Sequence, residues 1–101
     1  MQLKIIRYKT KPEGAEENQR LIEGVFRELR QSPIVGVDYL VIKADQDVFV
    51  HVVRTEAGDS SALTQLDSFK AFQADFRARC ADGPQVAQGT LLGDYRATKQ
   101  S

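Results

Sequence analysis

The stretch Val48-Phe49-Val50-His51-Val52-Val53 decides the fold of this 101-residue chain. It is rich in β-branched and aromatic residues, which marks a strand. It is also apolar at both odd and even positions. A strand buried on one face alternates apolar and polar residues, whereas one covered on both faces does not. One residue interrupts the run: His51, the only histidine in the chain. Upstream lies the short turn Asp45-Gln46-Asp47, preceded by a second strand-like run. Val37–Ala44 and Val48–Thr55 therefore read as a β-hairpin.

The flanks complete the pattern. Residues 3–10 read as a strand bounded by Pro12. Residues 13–31 read as a helix, with Leu21, Ile22, Val25, Phe26 and Leu29 on one stripe. Acidic residues at its start and Arg27 and Arg30 at its end suit the helix dipole, and Ser32-Pro33 stops it. Residues 56–61, with Gly58, read as a loop. A second helix is expected over about residues 66–81, its inner stripe formed by Leu66, Phe69, Phe72 or Gln73, Phe76 and Cys80. Asp67 or Ser68 would cap it, and Asp82-Gly83-Pro84 would end it. Residues 86–95 read as the last strand. Residues 1–96 then form one domain, with 97–101 a flexible tail.

The order β-α-β-β-α-β predicts an α+β, ferredoxin-like fold: a four-stranded antiparallel sheet with both helices on one face. The other sheet face is the difficulty. Three strands are apolar on both parities, and the chain has no spare element to cover a second face. A second copy could. Two such sheets face to face would close a dimeric α/β barrel with the helices outside, so a homodimer is expected.

Composition excludes several functions. Lysine plus arginine number 14, as do aspartate plus glutamate, so the net charge is zero. A dedicated nucleic-acid binder would carry a basic excess. Cys80 is the only cysteine, which forbids an intrachain disulfide. One cysteine and one histidine cannot supply the usual zinc site, so no metal is expected. No glycine-rich phosphate loop, Gly-x-Ser-x-Gly elbow or dinucleotide fingerprint is present. No window reaches the roughly 20 apolar residues of a membrane span, and the N-terminal apolar run is too short for a signal peptide. A cytoplasmic location without a membrane partner is expected.

Three segments resemble a known family. They are Arg7-Tyr8-Lys9-Thr10-Lys11-Pro12-Glu13-Gly14, the return strand from Val48 to Arg54, and Ser68-Phe69-Lys70-Ala71-Phe72. Together they resemble the antibiotic-biosynthesis-monooxygenase-like (ABM) domains of the dimeric α/β-barrel superfamily. The resemblance implies a ligand cavity between sheet and helices in each subunit. It also implies a small monooxygenase or isomerase acting on an aromatic or apolar molecule without a cofactor. A non-catalytic dimeric binding or scaffold protein is the alternative. The chain has no tryptophan to match that of characterised oxygenases in the family, and Ser68 stands where related helices often place histidine.

His51 is the leading catalytic candidate, because an imidazole suits proton transfer at neutral pH and this one lies in an apolar strand. A buried histidine hydrogen-bonded to a neighbour is the plainer reading. Tyr8, Tyr39 and Arg7 are candidate polar substrate contacts. A core role is the alternative for the tyrosines, and a surface or inter-subunit ion pair for the arginine. Phe49 shares a face with His51. Phe69, Phe72 and Phe76 form a stripe that would serve as core or as pocket wall. Which strand parity faces the helices is left open by the sequence, and it decides whether His51 or Arg7 reaches the cavity.

Overall fold

The structure, a computed structural model, describes residues 2–56 and 59–97. Gly58 of the expected loop and residues 98–101 of the expected tail lie outside the described residues. The elements are β1 (Gln2–Thr10), a 3-10 turn (Pro12–Gly14), α1 (Ala15–Gln31), β2 (Val37–Ala44), β3 (Val48–Thr55), α2 (Ser61–Thr64), α3 (Asp67–Gln73), α4 (Phe76–Arg79) and β4 (Cys80–Gly89). The strands form one antiparallel sheet in the order β2-β3-β1-β4. This is the ferredoxin-like α+β arrangement expected from the sequence, and the hairpin strands have the expected limits.

Strand register settles the parity. Tyr8 lies opposite Phe49, and Ile6 lies between His51 and Val86. Tyr8, Phe49 and Val53 are buried with Ile22, Val25, Leu63 and Phe72 in the core between sheet and helices. On the other sheet face, Leu40, Val52, Ile5 and Ala87 form one cross-strand row, and Ile42, Val50, Arg7 and Gln85 the next. Among the described residues no helix packs on that face, and Leu40 and Ile42 remain 45% and 52% exposed.

The second helical leg differs from expectation. The single helix over residues 66–81 is replaced by α2, α3 and α4. Ala74 is extended and Asp75 adopts a left-handed conformation with φ 60°, which breaks the helix between Phe72 and Phe76. Aspartate tolerates that conformation better than most residues. The helical spacing of the phenylalanines continues across the break, so periodicity alone could not reveal it.

The caps differ too. Neither Asp67 nor Ser68 is the capping residue; Leu66 holds that position without a side-chain bond. Instead the Glu28 carboxylate of α1 accepts bonds from the Ser68 amide at 3.0 Å and its hydroxyl at 2.5 Å. A carboxylate from a neighbouring helix thus meets the free N–H groups at the start of α3.

The last strand starts earlier than expected, at Cys80, and ends at Gly89 rather than near Tyr95. Asp82-Gly83-Pro84 lies inside it and does not end a helix. Cys80 and Asp82 pair with Thr10 and Lys9 in a shifted register. Gly83 has φ +101°, and a Cβ there would come within 3.0 Å of the Tyr8 Cβ. Only glycine lets this backbone pass so close to Tyr8.

Candidate ligand pocket and its buried hydrogen-bond chain

A pocket of about 590 Å³ opens between the helix-facing side of the sheet and the α3–α4 leg. Ile6 and Val86 of β1 and β4 line it, and Phe69, Phe72 and Phe76 supply an aromatic wall. Phe69 and Phe72 meet edge to face, with centroids 5.7 Å apart. Its polar lining divides in two. Gln73, Asp75 and Arg77 are exposed at the rim, whereas Tyr8 and His51 are 2% and 3% exposed.

Tyr8 and His51 belong to a longer chain of polar groups. The Tyr8 hydroxyl lies 2.8 Å from His51 Nε2, and the Tyr39 hydroxyl 2.7 Å from Nδ1. Asn18 of α1 gives its Nδ2 hydrogen to the Tyr8 hydroxyl at 2.8 Å. Arg79 gives Nε–H to Asn18 Oδ1 at 3.1 Å. Among the described residues, no buried side-chain nitrogen or oxygen lacks a partner.

Arg79 also explains how the broken helix is tolerated. Its guanidinium donates to the carbonyls of Ala74, at 2.9 Å, and Phe72. These oxygens lie where α3 stops, and a helix end leaves such carbonyls without intrahelical partners. The guanidinium also lies against the Phe72 and Phe76 rings, at 5.5 and 5.8 Å from their centroids. Only 9% exposed, Arg79 is held by neutral oxygens and aromatic faces.

Burial sets the protonation states. It lowers the His51 pKa to about 4, so the ring is neutral at pH 7. It pushes the Tyr8 and Tyr39 hydroxyls above their ordinary range, which keeps both protonated. Tyr8 is further influenced by Asn18, whose hydrogen bond opposes that rise. Burial also raises the Cys80 thiol, so little thiolate forms there at neutral pH.

The structure brings most of the sequence candidates together. His51, Tyr8, Phe69, Phe72 and Phe76 line the pocket, Phe49 stacks on Tyr8, and Tyr39 bonds to His51. Arg7 is the exception. It is exposed on the open face beside Val50, on the opposite parity from Tyr8. It cannot act as a substrate contact in this pocket. Asn18 and Arg79 are the members that sequence reasoning missed. Asn18 stands four residues before Ile22 and seven before Val25, on the apolar stripe of α1. That placement was the available signal. Arg79 depends on a long-range contact with no local counterpart.

The architecture matches solved structures. A "putative antibiotic biosynthesis monooxygenase" from Bacteroides thetaiotaomicron superimposes with a TM-score of 0.76 at 13% identity, covering 97% of this chain and 95% of that one. A protein described in the same words from Caulobacter crescentus gives 0.71 at 14% identity, covering 91% and 90%. A Nitrosomonas europaea protein of unknown function gives 0.70 at 17% identity, covering 97% and 96%. No family model and no curated protein sequence matches the chain. At these identities the likeness establishes an ABM-like fold, and fold alone does not carry an activity. Among the described residues, no helix is long and apolar enough to cross a membrane, and no cluster of metal-ligating side chains occurs.

Proposed function

We propose that the protein is a small ABM-type monooxygenase acting on an aromatic molecule held in the pocket beneath α3 and α4. The observation that carries this reading is the aromatic-walled pocket of about 590 Å³ with the Tyr8–His51 pair as its buried polar point. Such a site buries a flat apolar ligand and orients it through few polar contacts. The resemblance of the sequence and the names of its structural neighbours support the reaction class. The chemistry is the conversion of an activated ring methylene, as in an anthrone or the keto tautomer of a hydroquinone, and O₂ into a carbonyl and water. The substrate supplies all four electrons and no external reductant is needed. The role of His51 is to orient the ligand through Tyr8. Its low pKa makes it a poor free base at neutral pH.

Oxygen uptake by the purified protein with a panel of anthrones and hydroquinones tests this reading. Catalysed uptake that falls at least about tenfold in His51→Ala supports it. No uptake with any member, or full activity in the variant, overturns it. A non-catalytic binder is the second reading. It is favoured by one observation: both His51 nitrogens are already bonded to tyrosines. Tight binding of the same panel without oxygen consumption would select it.

The protein's partner in this proposal is a second copy of itself. The uncovered apolar face, including Leu40, Val52 and Ile5, would close against its twin. A cytoplasmic setting fits the single free cysteine.

A further inference from the structure

Arginine has only donors, and this fixes a direction along the buried chain. Because Arg79 Nε–H must donate, the Asn18 amide turns its oxygen to Arg79 and its NH₂ to Tyr8. The Tyr8 oxygen therefore accepts from Asn18, and its own proton needs another acceptor. Tyr8 is 2% exposed, so water does not serve that need. The acceptor within reach is His51 Nε2, at 2.8 Å. A neutral imidazole that accepts at Nε2 carries its proton on Nδ1, where the Tyr39 oxygen lies at 2.7 Å. Either tautomer leaves one tyrosine proton without a protein acceptor: Tyr39 in the Nδ1–H form and Tyr8 in the Nε2–H form. Tyr39 is only partly buried and can give its proton to solvent, whereas Tyr8 is 2% exposed, so the Nδ1–H form is favoured.

We infer that Asn18 and Arg79 are positioning residues that aim the Tyr8 hydroxyl at His51 and hold His51 as its Nδ1–H tautomer. Arg79 acts through Asn18, and Asn18 through Tyr8. The tautomer assignment does not rest on the reading of the pocket given above.

The test is a one-atom exchange. In Asn18→Asp both side-chain oxygens accept: one from Arg79 and the other from Tyr8. The Tyr8 proton then turns to the carboxylate, Nε2–H donates to Tyr8, and the chain reverses beyond that point. Two-bond ¹H–¹⁵N spectra at pH 7 distinguish the tautomers, since the protonated and bare ring nitrogens resonate far apart. The expected result is Nδ1–H in the wild type and Nε2–H in Asn18→Asp. Nε2–H in the wild type, or Nδ1–H unchanged in the variant, overturns the inference. Should the variant fail to fold, Arg79→Met serves in its place. Loss of the fixed donor lets the amide turn over, and the two nitrogens should move toward averaged shifts. Wild-type shifts in that variant overturn the inference equally. None of these outcomes depends on oxygen uptake, so failure of the proposed reaction would leave the tautomer assignment standing.

Discussion

The two faces of the sheet are built from the same strands, and alternate residues of those strands have opposite fates. Facing the helices, Tyr8, Phe49, His51 and Val53 are buried in a core whose polar side chains, among the described residues, are satisfied. Facing away, Leu40 and Ile42 stand about half exposed beside the Asp38–Arg54 ion pair. Both faces are apolar in sequence, but among the described residues only one is covered by helices. Apolar content therefore does not identify the inside of a sheet. What identifies it is the element that packs there, here α1 and the broken α3–α4 leg.

The largest effect expected from testing this contrast lies in the helix-facing core. Phe49→Ala removes a ring that is 1% exposed and stacked on Tyr8. It should cost about 3–5 kcal/mol in urea unfolding. A cost below about 1 kcal/mol would mean that this face is not the packed one.

The open face should respond differently. The double substitution Leu40→Asp and Ile42→Asp should weaken self-association by about a hundredfold or more in sedimentation velocity, because charges would be buried against a second copy. The subunit should keep its helical far-UV signal. A wild-type protein that is monomeric at micromolar concentration would end the barrel proposal and leave the open face a plain surface.

A smaller effect, confined to the helix-facing side, concerns pH. His51 binds its proton near pH 4 when folded but near 6.5 when free. Between these values the unfolded state holds more protons, so stability falls as pH falls. The contribution is complete above pH 6.5 and is lost at roughly 1.4 kcal/mol per unit at most, toward pH 4. Urea titrations at pH 7 and 5 should show a shallower loss for His51→Gln than for the wild type. Equal slopes would mean that His51 titrates normally and that the pocket admits water to it.

The hairpin was readable because its signals are local: β-branched runs on either side of a short Asp45-Gln46-Asp47 turn. The helix α1 was readable for the same reason, with Ile22 and Val25 on its stripe and Pro33 after it. The second helical leg was not. Its phenylalanines keep helical spacing across Ala74 and Asp75, where the backbone turns away and Arg79 takes up the freed carbonyls. Of the site, His51, the two tyrosines and the aromatic wall could be nominated as unusual residues in their strands and stripe. Their association could not, since Tyr8 and His51 are 43 residues apart, and Asn18 and Arg79 are 61 apart.

Sequence by itself determined the order of the four strands, the place of α1, the antiparallel hairpin and the presence of apolar residues on both sheet faces. Those properties follow from residue type and short-range spacing. Tertiary structure alone decided which parity faces the helices, and with it that His51 reaches the pocket and Arg7 does not. A one-residue change of parity moves every side chain to the other face. With both parities apolar, the choice falls to the packing of α1, α3 and α4 and to the directional hydrogen bonds that end at Arg79.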